Sequence, residues 1–232
     1  MASPASSAAQ HKQDSYLATD PVKLLVQQSY DKIADTYLEW TLSTPSPRLA
    51  YLQTLLSHLS SPSTSHILEL GCGAGVPGTR FLSKSCGRVF GVDISLAQIE
   101  RARKNVGSAN ADLVRSDMMA LDFPDGRFDA VVGLYSILHL KKEEQVVLME
   151  RVCRWLKLGG VFVGNFALTG KEDTGLWLEG EKMFWGGWEE KDWLRNVEGA
   201  GFDVLQGDVV MDVEDGREVN FLWVVAKSRG GN

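Results

Sequence analysis

The sequence predicts an α/β protein, a three-layer sandwich in which a mostly parallel seven-stranded sheet ends in an antiparallel hairpin. From residue 66 onwards, short apolar runs alternate with stretches of helical periodicity, which is typical of parallel strands joined by right-handed helical crossovers. The last two apolar runs are instead joined through Glu-Asp-Gly at 214–216, a turn that favours a hairpin. With 232 residues, of which 44% are hydrophobic and 23% charged, the chain has the composition of a globular domain.

The chain divides into a tail and one domain on this interpretation. Its first residues are small, polar and aperiodic, which predicts disorder. Helix and strand signals fill the remainder. The predicted divisions are a disordered tail at 1–19, a single domain at 20–228, a helical cap at 20–60 within that domain, and an aromatic lid segment at 170–193.

Helical periodicity begins at Pro21. Apolar residues then recur at three- and four-residue steps as far as Trp40, which predicts one amphipathic helix. A second helix is expected to have Ser46 as its cap and Pro47 in its first helical position, and to run to Leu59.

Strands and helices alternate after this cap. Ser95, with Gln98 three residues later, has the pattern of a capping box and indicates where the second crossover helix starts. The predicted strands are 66–70, 88–92, 111–115, 128–134, 160–166, 202–210 and 217–227. The predicted helices between them are 75–84, 95–106, 142–157 and 189–199.

A glycine-rich turn joins the first strand to the following helix. Gly71, Gly73 and Gly75 allow a sharp turn, and they let a ligand lie against bare backbone at the N-terminus of a helix. The dinucleotide-binding pattern has another glycine where this chain has Val76, followed by Pro77. This difference argues against a NAD-dependent reductase, which would use the same fold.

Three acidic residues stand at the ends of successive strands. Glu69 precedes the glycine turn, Asp93 ends the second strand, and Asp117 follows the third. A loop-capping or solvated carboxylate is the usual explanation of one such residue. Together, however, they predict a shared nucleoside site, because parallel strands end at one edge of a sheet. There Asp93 would bind ribose hydroxyls and Asp117 an adenine amino group, while Met118 would offer a backbone N–H and an apolar flank.

Four ordered strings resemble the motifs of class I, Rossmann-like S-adenosylmethionine-dependent methyltransferases. They are ILELGCGAG (67–75), GVDISLAQIERAR (91–103), SDMMALDFPDGRFDAVVGLYSILHL (116–140) and RVCRWLKLGGVFV (151–163). MFWGGW (183–188) and FLWVVAK (221–227) further resemble small methyltransferase-domain proteins, and the resemblance spans about residues 29–227. It implies the class I fold, S-adenosyl-L-methionine as cofactor, and transfer of a methyl group to a small-molecule acceptor by in-line displacement.

The resemblance also implies which residues surround the cofactor. The glycine turn would border the methionine moiety, and the segment YDKIADTY at 30–37 would cover the cofactor. The implied cofactor-binding residues are Tyr30, Tyr37, Glu69, Gly71, Cys72, Gly73, Gly75, Asp93, Ile94, Asp117, Met118 and Leu134. Where relatives tend to carry serine and histidine, this chain has Gly186 and Gly187, so no role is carried over from that histidine.

Two residues near the end of the fourth strand are catalytic candidates. Methyl transfer from a sulfonium mainly requires alignment of the reactants in a dry pocket. His139 is a candidate general base, since the pKa of histidine suits deprotonation of a hydroxyl near neutrality. A histidine that merely bonds a carbonyl is the alternative. Tyr135 is a candidate to orient the acceptor, or else packs on the sheet edge.

The segment before the final hairpin is rich in aromatic residues. Its large rings are those of Trp177, Phe184, Trp185, Trp188 and Trp193. In this fold it lies over the carboxyl ends of the strands, where aromatic walls suit a planar or apolar acceptor. The alternative is that these rings fill the core and join the segment to the sheet. Gly186 and Gly187 are expected to act as a hinge for a lid.

Composition and charge narrow the classes of partner that the protein is expected to bind. The net charge of −6 and the pI of about 5.3 disfavour nucleic acid. No apolar run approaches the roughly 18 residues of a membrane span, so no membrane partner is predicted. Cys72, Cys86 and Cys153 lack metal-binding spacing, which predicts no metal and suits the cytoplasm. A repurposed fold, with a non-methylating rearrangement or a regulatory role, stays an alternative, and the acceptor and oligomeric state are open.

Overall fold

A seven-stranded sheet forms the centre of the molecule, whose computed structural model describes residues 19–107 and 109–230. The strands in chain order are β1 (His66–Leu70), β2 (Arg88–Asp93), β3 (Ala111–Arg115), β4 (Phe128–Gly133), β5 (Leu156–Ala167), β6 (Glu172–Leu176), β7 (Lys182–Gly186), β8 (Phe202–Glu214) and β9 (Arg217–Ser228). The sheet order is β3-β2-β1-β4-β5-β9-β8, and β6 pairs with β7 in a separate hairpin. β1 to β5 pair in parallel, whereas β9 is antiparallel to both β5 and β8. The predicted fold class is therefore confirmed.

Helices cover both faces of this sheet. In chain order they are α1 (Pro21–Lys32), α2 (Ala34–Ser43), α3 (Arg48–His58), α4 (Gly78–Ser85), α5 (Leu96–Val106), α6 (Lys142–Trp155) and α7 (Glu190–Gly199). One apolar cluster joins the sheet to α6 and α7, and a second joins its other face to α3 and α4. Within the described residues, no helix is both long and apolar enough to cross a membrane.

The N-terminal cap differs from the prediction in two ways. The single helix expected from Pro21 to Trp40 is two helices, because the backbone at Ile33 (φ −88°, ψ 13°) leaves the helical region while the apolar spacing continues. α3 begins at Arg48, so Pro47 holds the cap position, and the backbone N–H of Arg48 donates to Ser46 Oγ. The predicted tail at 1–19 lies, apart from its last residue, outside the described residues.

The helix after the glycine turn also starts later than expected. Gly75 has a φ of +76°, which no right-handed helix accommodates, and α4 begins only at Gly78 after Pro77. The next helix begins where the sequence predicts, since Ser95 Oγ accepts a hydrogen bond from the backbone N–H of Gln98. Gln98 does not complete the capping box, because the backbone N–H of Ser95 donates to Asp93 instead.

The β6–β7 hairpin occupies part of the segment expected to form a lid. Each of its strands has five residues, too few to show a clear alternation in the sequence. Its buried residues, among them Met183 and Phe184, pack with Val26, Tyr30 and Ile33 of the cap. Ser29 Oγ of α1 donates to the carbonyl of Lys182 over 2.6 Å. The hairpin therefore holds the helical cap against the sheet.

Candidate functional site

A cavity of about 660 Å³ lies at the carboxyl ends of β1 to β4, beneath the helical cap. Most of the predicted cofactor residues line it, namely Tyr30, Tyr37, Gly71, Gly73, Asp93, Ile94, Asp117, Met118 and Leu134. The expectation that these strand ends meet in one place therefore agrees with the geometry.

The glycine turn forms the floor of this first cavity. Gly71 and Gly73 have φ values of +72° and +53°, in the left-handed region that favours glycine. A Cβ on Gly71 would lie 2.2 Å from Cβ of Ser136, so the chain after β4 also excludes a side chain there. Ser136 Oγ donates to the carbonyl of Leu70 and fixes that approach.

Asp93 links the glycine turn to the start of α5. One of its carboxylate oxygens accepts from the backbone N–H of Gly73 and the other from that of Ser95, each over 2.9 Å. Each oxygen keeps a further lone pair for a ligand hydroxyl. Burial raises the pKa of Asp93 to about 6, so the group is ionised at neutral pH.

Gln98 lines the same cavity and was not among the predicted site residues. Its side chain is 1% exposed, yet neither Oε1 nor Nε2 has a hydrogen-bond partner. A buried amide without partners costs about 1–3 kcal/mol, so it indicates a place where a polar ligand supplies the missing bonds. The sequence pattern around Gln98 indicated only a helix cap, so its position in the cavity was not predicted.

Asp117 connects the cavity to the first helix of the cap. Its Oδ1 accepts from the backbone N–H of Met119, and its Oδ2 pairs with Lys23 Nζ at 2.8 Å. Lys23 also pairs with Glu144 at 2.7 Å. Burial by itself lowers the pKa of Lys23, but the hydrogen bonds to the two carboxylates raise it overall.

A second cavity of about 950 Å³ adjoins the first. Aromatic rings line much of its wall, those of Tyr30, Tyr37, Trp40, Tyr135, Trp177, Trp185 and Phe221. Charged side chains line it as well, including Lys171 and Asp173 near the β6–β7 hairpin and Glu214 and Arg217 at the tip of the β8–β9 hairpin. The approach of the hairpin tip to the cavity was not predicted, because it depends on the tertiary structure.

Tyr30, Tyr37, Tyr135 and His139 line both cavities. His139 is buried, and its Nδ1 lies 2.8 Å from the carbonyl oxygen of Phe184. Its Nε2 lies 2.8 Å from the hydroxyl of Tyr30. Burial lowers the pKa of His139 to about 4, so the imidazole is neutral near pH 7.

Tyr135 is held by contacts on every side. Its backbone has a φ of +51°, and its N–H donates to Asn165 Oδ1 over 2.6 Å. The phenol donates to Asp212, and the guanidinium of Arg48 lies 3.9 Å from the ring centroid. Burial raises the pKa of the Tyr135 phenol, so it stays protonated.

Comparison with known proteins gives a family for these features. A model described as a methyltransferase domain matches residues 67–160. The chain is 30% identical over 148 residues to the 27-O-demethylrifamycin SV methyltransferase of Amycolatopsis mediterranei. The alignment covers 62% of this chain and 53% of that protein. The chain spans about half the length of the curated relatives it matches.

Solved structures share its fold across nearly the whole chain. DhpI, in a complex with S-adenosylhomocysteine, has a TM-score of 0.69 at 19% identity and covers 93% of this chain and 100% of its own. The cyclase SpnF also has a TM-score of 0.69, at 15% identity, and covers 90% and 97%. Residues 67–160 thus resemble a methyltransferase domain, and the chain has the fold of class I S-adenosylmethionine-dependent methyltransferases.

The first cavity fits S-adenosylmethionine, the cofactor of the methyltransferases that this chain resembles. Its unpartnered Gln98 amide and the free lone pairs of Asp93 suit a ligand with several hydroxyls and amino groups. A Cβ on Gly73 would meet only Gln98 and Tyr37, at 3.9 and 4.0 Å, so the space that a side chain would fill is left open. No group of three possible metal-ligating side chains occurs within the described residues.

Three of the predicted cofactor residues do not line the first cavity. Glu69 accepts from Thr79 Oγ1 over 2.6 Å, and burial raises its pKa to about 7. Cys72 packs in a small apolar cluster under α5. A Cβ on Gly75 would lie 2.5 Å from Val106, so Gly75 allows close packing of α5. Glu69 and Cys72 instead border a smaller neighbouring cavity, which Gly71 and Gly73 also line.

The aromatic segment lies partly in the wall of the second cavity and partly in the core. Trp177 and Trp185 line the second cavity, whereas Trp188 packs against the main core and Trp193 is fully buried within it. The two glycines expected to act as a hinge are closely packed. A Cβ on Gly186 would lie 2.6 Å from the carbonyl of Leu140, and one on Gly187 would lie 2.2 Å from that of Ala167. Both glycines therefore allow tight packing.

Proposed function

We propose that this chain transfers a methyl group from S-adenosylmethionine in the first cavity to a planar small molecule in the second. The shared wall of the two cavities carries this proposal. In-line displacement requires the nucleophile, the methyl carbon and the sulfur on one line, and therefore two ligands that meet. Tyr30, Tyr37, Tyr135 and His139 face both spaces and surround the place where two such ligands would touch.

The cofactor would be held chiefly by polar groups at the strand ends. Asp93 and Gln98 would bind the ribose hydroxyls, and Met118 would lie against the adenine beside Asp117. Bound in this way, S-adenosylmethionine supplies an electrophilic methyl group. The tie from Lys23 to Asp117 would keep α1 over the nucleoside.

Arg48 is a further candidate for the cofactor site. It borders the smaller cavity beside Gly71 and Gly73, and it is 7% exposed. Within the described residues, no carboxylate lies within 4.0 Å of its side-chain nitrogens. A buried guanidinium without a carboxylate partner suits the carboxylate of the methionine moiety.

The acceptor would be planar, and mostly apolar with a polar edge. Rings from the cap and from the β6–β7 hairpin offer faces for stacking and exclude water from the reacting atoms. The charged groups from both hairpins would meet the polar edge of the acceptor. Tyr135, fixed by Asp212 and Arg48, would limit how the acceptor lies.

Release of S-adenosylhomocysteine from S-adenosylmethionine tests the proposal. The purified chain would be incubated with a panel of planar phenols, hydroxyquinolines and flavonoids, and both nucleosides quantified by mass spectrometry. We expect acceptor-dependent release that Asp93→Asn suppresses at limiting S-adenosylmethionine. Tight binding of S-adenosylhomocysteine without release on any acceptor would contradict methyl transfer, and would favour the repurposed fold.

A further inference from the structure

A chain of three groups fixes the hydrogen-bonding direction at the shared wall. The carbonyl oxygen of Phe184, the imidazole of His139 and the hydroxyl of Tyr30 follow one another with 2.8 Å between successive polar atoms. Phe184 belongs to the β6–β7 hairpin and Tyr30 to α1. These hydrogen bonds therefore connect the β6–β7 hairpin to α1 through the centre of the site.

The proton positions in this chain follow from simple chemistry. A carbonyl oxygen can only accept, so Nδ1 of His139 carries a proton and donates to Phe184. The ring is neutral near pH 7 because burial lowers its pKa to about 4, so Nε2 has a lone pair and no proton. The hydroxyl of Tyr30 is then the donor in its bond to Nε2.

Tyr30 is left with acceptor capacity alone. Burial raises the pKa of its phenol, which keeps the single proton that points to His139. Within the described residues, the Tyr30 hydroxyl has no hydrogen-bond partner other than His139. Any ligand that meets this oxygen must therefore supply the proton of the hydrogen bond.

We infer that the acceptor presents an O–H or N–H group to the oxygen of Tyr30 and is methylated on that heteroatom. The inference rests on the proposed function, since it places the nucleophile where the two cavities meet. A carbon nucleophile such as an alkene offers no proton to Tyr30, so the acceptor lone pairs of this buried oxygen would stay unused. Tyr30 is thus a catalytic residue, and His139 is the positioning residue that fixes its orientation.

The same chain provides a route for the proton that the acceptor loses. The acceptor heteroatom uses a lone pair to form the bond to the methyl carbon, and the electron pair of the broken carbon–sulfur bond stays on sulfur. The acceptor proton moves to Tyr30 while the Tyr30 proton moves to Nε2 of His139. Total charge is conserved, because the imidazole gains the positive charge that the sulfonium loses. His139 returns this proton to solvent after the products leave.

Binding of a matched ligand pair tests the inference without turnover. We would titrate 2-naphthol and 2-methoxynaphthalene by calorimetry into protein saturated with S-adenosylhomocysteine, which leaves the space of the methyl group empty. The naphthol can donate to Tyr30, whereas the oxygen of the ether can only accept. We expect the naphthol to bind about tenfold more tightly, as one hydrogen bond to a buried acceptor would give.

Three variants separate this contact from a general effect on the fold. Ring packing alone should give a naphthol-to-ether affinity ratio near unity. In Tyr30→Phe the ratio should fall to within about twofold of that value. Tyr51→Phe is the matched control, since Tyr51 donates to Asp208 and lines neither cavity, and it should keep the wild-type ratio. His139→Phe frees the Tyr30 proton to donate to the ether and should also lower the ratio.

Equal affinities in the wild type, an unchanged ratio in Tyr30→Phe, or no binding of either naphthalene would each overturn the inference. The initial titration with S-adenosylhomocysteine reports separately on the proposed function. A protein that fails to bind this nucleoside would contradict methyl transfer itself. A protein that binds it but does not distinguish the naphthalenes would contradict only the assignment of the nucleophile.

Discussion

Buried polar side chains around the first cavity have contacts that suit a ligand better than they suit the isolated fold. Gln98 has an amide without partners, and Asp93 titrates near pH 6 because of its burial. By contrast, Gln145 is as deeply buried but donates from Nε2 to the carbonyls of Leu140 and Gly186. Two glutamines with similar burial therefore have different consequences for stability.

Gln98→Leu should weaken cofactor binding without destabilising the protein. Leucine has a similar size and removes the unsatisfied amide, so the melting temperature of the apoprotein should stay the same or rise. Affinity for S-adenosylhomocysteine should fall about tenfold, measured by calorimetry. In the matched control, Gln145→Leu, the melting temperature should fall, because several buried carbonyls lose their donor. A lower melting temperature in Gln98→Leu with unchanged affinity would return Gln98 to a structural role.

Acid should weaken cofactor binding through Asp93. Its ionised form accepts hydrogen bonds from ribose hydroxyls, and it is protonated as the pH falls through about 6. We expect the affinity for S-adenosylhomocysteine, measured between pH 5 and pH 8, to fall on the acidic side of that value. Asp93→Asn should bind about tenfold more weakly at pH 7.5 and show a flatter profile. An equally steep acid loss in this variant would assign the titration to another group.

The first cap helix, α1, is tied to a strand end and to the β6–β7 hairpin by polar contacts. Lys23 bridges Asp117 and Glu144, and Ser29 bonds the hairpin strand β7. Sequence patterns predicted the helices, because apolar spacing records burial. They did not predict these ties, which join residues far apart in the chain. The β6–β7 hairpin was also not predicted. Its glycines were interpreted as points of flexibility, whereas in the structure they allow close packing.

Trp185 and Trp188 should respond differently to replacement by alanine. Trp185 lines the second cavity, so Trp185→Ala should raise the Michaelis constant for an acceptor found in the panel while S-adenosylhomocysteine affinity stays constant. Trp188 packs on the core, with Lys142 Nζ 3.9 Å from its ring centroid, so Trp188→Ala should lower the melting temperature by several degrees. Kinetics and thermal unfolding of both variants decide the matter. The reverse pattern would exchange the two roles.

Removal of the Lys23 side chain should loosen the cap. Lys23→Met leaves Asp117 and Glu144 without the cation between them, at a cost of about 1–3 kcal/mol in unfolding free energy. Limited proteolysis should then cleave within α1 sooner than in the wild type. Lys32→Met is the control, since Lys32 forms an exposed pair with Glu181. Equal cleavage rates in the two variants would show that the bridge does not hold the helix.

Across the whole molecule, the fold class and the approximate positions of the strands were predictable from sequence, because burial and turn chemistry act locally. The positions of Asp93 and Asp117 beside the first cavity were predictable in this way, since each follows a recognisable strand. Gln98 and Arg48 were not, because their significance lies in missing partners, which only the packed structure reveals. Cys72 matched a family motif, yet its side chain packs under α5.

Stability of the apoprotein should fall between pH 6.5 and pH 8. Burial raises the pKa of Glu69 to about 7 and that of Glu214 to about 8, so the folded state holds protons that the unfolded state has lost. This contribution is present at low pH and is lost as the pH rises through those values. The lowered pKa of His139 acts in the opposite direction, but only between about pH 4 and 6.5. The melting temperature should therefore be higher at pH 6.5 than at pH 8.

The double variant Glu69→Gln/Glu214→Gln isolates this effect. It should show nearly equal melting temperatures at the two pH values, since neither amide titrates. Thermal unfolding followed by circular dichroism measures both proteins. A wild type that is more stable at pH 8 would contradict the assignment, as would a variant that keeps the full difference.

The wall between the two cavities links their occupants thermodynamically. A ligand in the first cavity would contact Tyr30 and Tyr37, which a ligand in the second would contact as well. If one ligand orders these rings, the other would bind more tightly. Coupling free energies are reciprocal, and the factor is the same in both directions. The acceptor would then retain the cofactor, and departure of the methylated product would hasten release of the spent nucleoside.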